Sequence, residues 1–313
     1  MNKMMAIRAH RRGGPEVLEY EDAPVPDVHS GEVLVEVHAA AVTPGELAWD
    51  ASWVSETGED RTPVIPSHEF SGVIAKVLDA VDDVAPGTEV YGLIDFHHDG
   101  AAAQFVALPH EAVVRRPLRL SHVESAALPL AALTAWQALS DHAKVQAGDR
   151  VFIQGGAGGV GSLAVQLAKD LGADVTATAP AEDGLLVKAL GADGVVDSPA
   201  SALASGEQEF DVLLNTFGGP VPTESYRLVR PGGRLVTLSE PPDDPLAKTR
   251  GIEAVFFVVS SDRADLGMVA SLADEGRLRP IIARTFPLAE AVAAYSPPPP
   301  PHKPGKTVLV VRP

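Results

Sequence analysis

A short run of small residues carries the clearest chemical signal in this 313-residue chain. The run spans positions 156–161 and fits the spacing G-x-G-x-x-G. It consists of Gly156, Ala157, Gly158, Gly159, Val160 and Gly161. Glycines let a backbone approach a dinucleotide pyrophosphate, and a helix that follows them offers free N–H groups and a partial positive charge to the phosphates.

Glycines also serve ordinary turns, so the pattern counts only when a strand precedes it and a helix follows it. Both are expected here. Arg150–Gln154 is apolar and strand-like, and apolar residues at 160, 163, 164, 167, 168 and 171 have the period of a one-faced helix. We therefore predict a dinucleotide site at this loop and not an empty turn.

Two further strands end in residues placed to meet a ligand. Asn215 and Thr216 follow the strand-like segment 210–214, and Leu238 and Ser239 close the segment 234–238. Ligands of open parallel sheets bind at the carboxyl ends of the strands, so these four residues are candidates for the same site.

The elements that must position these residues change in character along the chain. The first third is β-rich, with strand candidates at 32–37, 70–78 and 101–108. Residues 123–142 are apolar and helical, and strands then alternate with helices up to residue 259. This alternation predicts a parallel sheet with helices on both faces.

The end of the chain changes again. A helix is expected at 261–275, and the strand-like segments 281–286 and 306–311 are expected to return to the first domain. The fold class is therefore α/β, with a domain at 124–275 inserted into a discontinuous one at 1–123 and 276–313. Five consecutive prolines at 297–301 predict a stiff, extended surface loop.

Composition excludes several classes of function. The net charge of −17 argues against a nucleic acid or an anionic membrane as partner, and no apolar stretch reaches the roughly 20 residues of a membrane helix. The first residues lack an apolar signal core, so we expect a cytoplasmic protein with a small-molecule substrate. The absence of cysteine excludes disulfides, thiolate zinc ligands and a cysteine nucleophile.

Several motifs in order resemble those of medium-chain dehydrogenases/reductases, in particular the zinc-independent quinone oxidoreductases, the zeta-crystallin-like branch. They are GGPEVL at 13–18, GEVLV at 31–35, IPSHEFSGV at 65–73, EVYG at 89–92, residues 126–139, the glycine loop, RPGGR at 230–234 and GK at 305–306. The third matches P-G-H-E-x-x-G with Ser67 for the first glycine. The resemblance implies a GroES-like β-barrel domain and a Rossmann domain, a nicotinamide cofactor in the cleft between them, and a homodimer formed through the Rossmann sheets.

Zinc-dependent relatives carry a cysteine where this chain has Thr43, and a lobe with four cysteines. His68 and Glu69 are retained, but two residues do not make a tetrahedral site, and a hydrogen-bonded His–Glu pair that holds a turn is the favoured interpretation. The resemblance thus implies no zinc. Hydride addition to the β-carbon of an enone, enal or enoyl thioester, or reduction of a quinone, suits such a site, and the resulting enolate is then protonated.

The resemblance also assigns residues to the cofactor and the substrate. To the residues above it adds, as cofactor contacts, Thr134, Thr178, Phe257 and Val258. The substrate pocket is assigned to Thr43, Trp49, His68, Phe96, His97 and Phe257. Plainer alternatives are a helix threonine bonded to its own backbone for Thr134, a core strand for Phe257 and Val258, and packing anchors for the tryptophans.

No catalytic acid is assigned. His97 and Tyr91 are the candidate proton donors, against the alternatives of a solvated loop histidine, a core tyrosine and a proton from water. The second strand ends in Thr178 and not in the acidic residue typical of NAD enzymes. Thr178 and Ala179 leave room for a 2′-phosphate, whereas Glu182 and Asp183 repel it.

The resemblance favours NADPH, with NADH as the alternative. Two rival functions remain open beside the reductase of activated double bonds or quinones. One is a pathway-specific tailoring enoyl reductase of natural-product biosynthesis. The other is a binding protein that keeps the scaffold with weak or lost redox activity.

Overall fold

The computed structural model describes residues 3–78, 84–206, 209–298 and 303–312. The elements of the first part of the chain are β1 (Lys3–Ala9), β2 (Leu18–Pro24), β3 (Glu32–Val42), β4 (Glu69–Val77), β5 (Glu89–Leu93), β6 (Phe105–Pro109), β7 (Val113–Arg115), α1 (His122–Ala126) and α2 (Pro129–Gln137), which a π-helical turn, Ala138–His142, extends. Those of the second part are β8 (Arg150–Gln154), α3 (Gly159–Asp170), β9 (Asp174–Thr178), α4 (Gly184–Ala189), β10 (Gly194–Val196), α5 (Pro199–Ala204), β11 (Phe210–Asn215), α6 (Thr223–Leu228), β12 (Val229–Thr237), α7 (Asp244–Arg250), β13 (Glu253–Phe256), α8 (Arg263–Asp274), β14 (Ile282–Pro287), α9 (Ala291–Tyr295) and β15 (Lys306–Val310).

The chain divides into two compact units. Unit 1 comprises Met1–Leu130, Ser260–Gly276 and Pro280–Pro313, and unit 2 comprises Ala131–Val259 and Arg277–Arg279. The boundaries predicted from the sequence put residues 261–275 with the inserted domain, whereas α8 belongs to unit 1. The Tyr91 hydroxyl donates to the Leu266 carbonyl at 2.6 Å, and Arg263 donates to the carbonyls of His110 and Val113, which fastens α8 to this unit.

Unit 1 is built on a seven-stranded sheet. Its strands follow the order β14-β15-β3-β4-β5-β7, β6 also pairs with β3, and β1 and β2 form a separate antiparallel pair. The strand expected at 32–37 is present within β3, and Val33, Val35 and Val37 on one face of it are all completely buried. The register sets Ala41 of β3 opposite Glu69 of β4, and Val42 opposite Thr307 of β15, so the end of β3 meets the starts of two other strands.

Unit 2 is a doubly wound parallel sheet with the strand order β10-β9-β8-β11-β12-β13. The order runs outward in both directions from β8 and β11, so the topological switch point lies between these two strands, where such folds bind ligands. Its core packs Phe152, Phe210, Leu213 and Leu235. The predicted α/β fold class, with helices alternating along a parallel sheet, is confirmed.

No helix in the described part of the chain is both long enough and apolar enough to cross a bilayer. The proline run predicted to form an extended loop lies outside the described residues from position 299 onward.

Two stacked histidines join α1 to the sheet of unit 1. The ring centroids of His38 on β3 and His122 on α1 lie 4.4 Å apart. The Ser71 hydroxyl donates to the Val90 carbonyl, so it accepts from His122 Nδ1 at 2.8 Å. Burial, with smaller contributions from His38 and Arg116, lowers the pKa of His122 to about 4, and burial also lowers the pKa of His38. The His122 ring is therefore neutral at neutral pH.

We expect the free energy of unfolding to fall as the pH drops from about 6.5 to about 4. Unfolded His122 takes up a proton near pH 6.5, whereas in the folded chain its pKa is only about 4, so acid favours the unfolded chain. Allowing for screening at this partly exposed ring, the effect is on the order of 2 kcal/mol. His122→Gln should remove that share of the pH dependence in urea unfolding at pH 7 and pH 4.5. His29→Gln, at an exposed loop position, is the control; equal pH dependence in the wild type and His122→Gln would contradict the assignment.

Candidate functional site

The glycine loop of unit 2 is held by its own backbone and by the neighbouring strand. Gly155 has a φ of 85°, and a Cβ placed on Gly161 would lie 2.0 Å from the Gly155 carbonyl oxygen, so both positions require glycine. The Gly155 N–H donates to Thr178 Oγ1 at 2.9 Å, and the Gly156 N–H donates to the Thr178 carbonyl at 2.8 Å. The end of β9 therefore braces the turn between β8 and α3.

The opposite flank of the loop is braced from β11. The Thr216 hydroxyl donates to the Gln154 carbonyl at 2.6 Å, and a Cβ on Gly155 would meet the same hydroxyl oxygen. The Ser239 hydroxyl donates to the Phe217 carbonyl at 2.8 Å, which links the segment after β12 to the segment after β11. The predicted cofactor residues from the glycine loop, the end of β9 and the segment after β11 thus lie at one carboxyl edge of the sheet.

Two features of this edge fit a dinucleotide. Helix α3 begins at Gly159, and its N-cap residue Gly158 supplies no side-chain cap for the N–H groups of the first turn. Beside it, Gln154 Oε1 and Asn215 Oδ1 are buried on adjacent strands and have no hydrogen-bond partner among the described residues. A ligand with both phosphates and hydroxyl or amide donors would satisfy the two sets of groups.

The remaining predicted cofactor residues are distributed around unit 2. Thr134 lies on α2 and is 8 % exposed. Phe257 follows β13, and its ring lies 4.2 Å from that of His142 in the π-helical turn. Val258 is 64 % exposed, which does not support the interpretation of a core strand for that side chain. Leu238 is half-buried directly after β12.

The segment after β9 contains no basic residue before Lys188. Glu182 is exposed and Asp183 is half-exposed in the 3-10 turn Ala181–Asp183. Thr178 is buried, and its hydroxyl is occupied by the Gly155 N–H. Thr178 therefore stabilises the conformation of the glycine loop.

Three of the predicted pocket residues, Trp49, His68 and Phe96, lie together in unit 1 and form an aromatic wall. The Phe96 ring lies 5.2 Å from Trp49 and 5.4 Å from His68, edge to face in both cases. His97 Nδ1 lies 2.9 Å from the Val54 carbonyl, which can only accept, so this nitrogen carries a proton. Thr43, one residue past β3, is half-buried.

A buried carboxylate, Glu46, holds this wall from behind. Its Oε2 accepts from His68 Nδ1 at 2.7 Å and from the Ser67 N–H at 3.1 Å, and its Oε1 accepts from the Tyr295 hydroxyl at 2.5 Å. Burial, reinforced by Glu46, raises the pKa of Tyr295 well above its usual range, so the hydroxyl stays protonated. Since that proton goes to Glu46, Ser67 Oγ donates to Tyr295 at 3.0 Å.

Glu69 faces a different set of partners from His68. Its Oε1 forms an ion pair with Lys306 Nζ, and its Oε2 accepts from the Leu130 N–H at 3.0 Å. The expected His–Glu pair is therefore not formed, although each member of it is fixed by a partner distant in sequence. Burial raises the pKa of Glu69, and the Lys306 ammonium opposes this shift.

The residues around His68 do not fit a zinc centre. His68 Nδ1 lies 2.7 Å from Glu46 Oε2 and Nε2 lies 3.2 Å from the His98 carbonyl, so both ring nitrogens already have partners, and the chain has no cysteine to complete a ligand set. Among the described residues, the candidate metal ligands that do cluster are His10, Glu19 and Glu21, which lie in or beside β1 and β2. Arg8 already pairs with Glu21 there.

The two candidate proton donors differ in accessibility. Tyr91 is completely buried, its hydroxyl is bound to the Leu266 carbonyl, and burial raises its pKa. These contacts favour its interpretation as a core tyrosine. His97 is half-buried in the loop between β5 and β6, and its proposed role as a donor stays a prediction.

Glu46, Tyr295 and Lys306 were not among the residues predicted for the site. The sequence could have indicated Glu46, because it is the acidic residue in a short turn directly after the apolar strand β3. Tyr295 lies 249 positions from Glu46 and Lys306 lies 263 positions from Thr43, so no local pattern connects them.

Comparison with known proteins adds the family context. Residues 29–118 match the family model of the alcohol dehydrogenase GroES-like domain, and residues 190–309 match that of the zinc-binding dehydrogenase. The chain is 30% identical over 347 residues to the mitochondrial NAD(P)H oxidoreductase RTN4IP1 of Danio rerio, covering 96% of this chain and 89% of that one. It is 29% identical over 308 residues to the chloroplastic NADPH-dependent alkenal/one oxidoreductase of Arabidopsis thaliana, covering 95% and 77%. Among solved structures, the quinone oxidoreductase from Coxiella burnetii has a TM-score of 0.87 and 30% identity, covering 99% of this chain and 100% of that one.

We expect Gly161→Ala to destabilise unit 2 by about 1–3 kcal/mol, measured by urea unfolding without added ligand. The new Cβ would lie 2.0 Å from the Gly155 carbonyl oxygen, a backbone atom that cannot rotate away. Gly267→Ala on α8 is the matched control: nothing lies within 4 Å of its Cβ, and alanine favours helix there. A Gly161→Ala protein as stable as the wild type would contradict the close approach of α3 to the loop.

Proposed function

Because the chain belongs to the medium-chain dehydrogenase/reductase superfamily, we propose that it is a zinc-independent, NADPH-dependent reductase of activated double bonds or quinones. Membership confirms the resemblance inferred from the motifs and makes the chain an NAD(P)H-dependent oxidoreductase. The choice of NADPH, the activated C=C or quinone substrate and the absence of zinc are the parts that we propose.

The observation that carries the proposal is the braced edge of unit 2. A glycine loop fixed by Thr178 and Thr216 presents the uncapped first turn of α3, and the unsatisfied oxygens of Gln154 and Asn215 lie on the two strands that flank the switch point. A nicotinamide dinucleotide has phosphates for the first and ribose or carboxamide donors for the second.

When bound, the dihydronicotinamide supplies a hydride to the substrate. The residues of the chain then have to bind the acceptor, stabilise charge on its oxygen and provide a route for a proton. Without a metal to polarise an alcohol or carbonyl, the substrate must bring its own activation, as conjugated carbonyl compounds and quinones do. The occupied nitrogens of His68 support the zinc-independent part of the proposal.

The aromatic wall of unit 1 supports a flat, conjugated substrate. Trp49 and Phe96 are both half-exposed, so their rings offer apolar surface, while His68 behind Phe96 is fixed by Glu46. Flat acceptors such as quinones and enones bury well against such rings. The relative from Arabidopsis thaliana, named for alkenals and alkenones, and the quinone oxidoreductase from Coxiella burnetii agree with this class.

A homodimer is part of the proposal. β13 is the edge strand of the unit 2 sheet, and Phe256 at its end and Val258 two residues beyond it are 36 % and 64 % exposed. An apolar edge of this kind is suited to pairing with a second copy. The cytoplasmic location stays a prediction, since the two curated relatives carry mitochondrial and chloroplastic names.

We expect the purified full chain to bind NADPH, seen as quenching of tryptophan fluorescence. It should then consume NADPH in the presence of quinones, enals or enones, followed by loss of dihydronicotinamide absorbance. If neither NADPH nor NADH binds at millimolar concentration, the redox function is ruled out and a binding protein remains. Turnover confined to one class of enoyl thioester would favour the tailoring reductase.

We expect Glu182→Arg to tighten NADPH by roughly tenfold and NADH much less, measured by fluorescence titration. Glu182 is an exposed acid after β9, where the 2′-phosphate of NADPH is expected, and arginine would replace repulsion by a charge-assisted contact. Glu224→Arg makes the same charge change at an exposed position on α6 and serves as the control. Equal effects on both cofactors would show that the phosphate does not lie near Glu182.

A further inference from the structure

Three side chains distant in sequence meet where β3 ends and where β4 and β15 begin. They are Thr43, Glu69 and Lys306, and the registers that pair Ala41 with Glu69 and Val42 with Thr307 bring them together. Lys306 Nζ contacts Glu69 Oε1 and donates to Thr43 Oγ1 at 3.1 Å. The Lys306 side chain is 10% exposed and that of Glu69 is 1% exposed, so the two form a buried ion pair. The Thr43 hydroxyl accepts a hydrogen bond from the lysine of this pair.

Each polar contact among Glu69, Lys306 and Thr43 has a fixed donor and a fixed acceptor. Glu69 Oε2 is occupied by the Leu130 N–H, which leaves Oε1 for the ammonium. An ammonium has three donors and no lone pair, so Thr43 Oγ1 can only accept from it. A hydroxyl has a single proton, and among the described residues Thr43 Oγ1 has no second hydrogen-bond partner. The Thr43 proton is therefore directed away from Lys306 and is free to be donated.

The position of Thr43 suits a donor to substrate. The residue is half-exposed, and the turn Pro44–Ala48 that it begins leads into Trp49, the outer member of the aromatic wall. On the inner side of the wall, His68 directly precedes Glu69, which anchors Lys306. The directed hydroxyl and the apolar wall thus belong to the same segments of unit 1.

We propose that the Thr43 hydroxyl donates a hydrogen bond to the carbonyl oxygen of the acceptor, and that Lys306 and Glu69 are positioning residues that fix its direction. The proposal rests on the reductase function above. As the β-carbon gains a hydride, a C–H bond forms, the C=C electron pair moves to the adjacent C–C bond, and the carbonyl π pair becomes negative charge on oxygen. Thr43 stabilises that oxygen, and a proton from solvent then bonds to the α-carbon to give the saturated carbonyl compound.

Kinetics of two isosteric variants test the role of Thr43. Thr43→Val keeps the volume and removes the donor, so kcat with an enone should fall on the order of 100-fold, while KM and NADPH affinity change less than about threefold. Thr43→Ser, which keeps the hydroxyl, should recover most of the rate. Thr285→Val on β14 is the matched control, because it makes the same atomic change at an exposed position. A Thr43→Val enzyme with wild-type kcat overturns the proposal.

A ligand without turnover separates this inference from the proposed function. We would use 4-nitrophenol, whose phenolate oxygen mimics the charged carbonyl oxygen and whose colour reports its ionisation. A donor to that oxygen lowers the pKa of the bound phenol, so Thr43→Val should raise the bound pKa and weaken phenolate binding on the order of tenfold. Loss of NADPH binding by the wild type would end the reductase proposal but leave this measurement valid. Equal bound pKa values in wild type and Thr43→Val, or no phenolate binding by the wild type, overturn the role of Thr43.

The positioning role is tested by a double-mutant cycle. Glu69→Gln/Lys306→Met removes both charges together, so no buried charge is left unpaired. It should lower kcat on the order of tenfold in the wild-type background and less than about threefold in the Thr43→Val background, because there is then no hydroxyl to direct. Equal losses in both backgrounds would mean that Lys306 does not act through Thr43. Circular dichroism and urea unfolding establish that the variants compared are folded.

Discussion

Two carboxylates buried in unit 1 impose the constraint on which the rest of that unit depends. Glu46 is 1 % exposed and Glu69 is completely buried, and a carboxylate is tolerated in such a place only when its oxygens are paired. Partners from the last segment of the chain contribute to both: Tyr295 donates to Glu46, and Lys306 pairs with Glu69. Helix α9 and strand β15 are therefore tied to β4 and to the turn after β3 by electrostatics as well as by strand pairing, which explains why the final strands return to the first domain.

The same constraint explains why the neighbouring residues His68 and Glu69 have different partners. Successive side chains at the start of a strand point to opposite faces, so neighbours in sequence cannot share partners. His68 turns toward Glu46, and Glu69 turns toward Leu130 and Lys306. One face thereby fixes the aromatic wall and the other directs the Thr43 hydroxyl, so a two-residue motif supports two separate parts of the site.

Unit 2 was largely predictable because its signals are local. The strand Arg150–Gln154 has the predicted bounds, and the strand expected at 210–214 extends by one residue to Asn215. The alternation expected up to residue 259 closes with β13, which ends at Phe256, paired with Thr237, the last residue of β12.

Unit 1 was less predictable, and so was its part of the site. The strand expected from residue 101 begins at Phe105, where pairing with Glu36 begins, while Ala103 makes an isolated bridge to Ala6. The pocket residues were found through the resemblance and the glycine loop through its spacing. The side chains that orient the pocket come from the other end of the chain, and only the folded registers bring them into contact.

The contacts that brace the glycine loop bear on how the proposed cofactor site is built. Its bracing uses the Thr178 hydroxyl and the Gly156 N–H on one side and the Thr216 hydroxyl on the other. The residue at the end of β9, which in NAD enzymes reads the ribose, is here committed to the shape of the loop. In the proposed cofactor site, binding the phosphates and recognising the adenosine are therefore separate tasks. Neither Glu182 nor Asp183 takes part in these three contacts. For the proposed reductase, cofactor choice is set by the exposed segment that contains these two residues, whereas binding of the pyrophosphate is set by the loop backbone and two threonines.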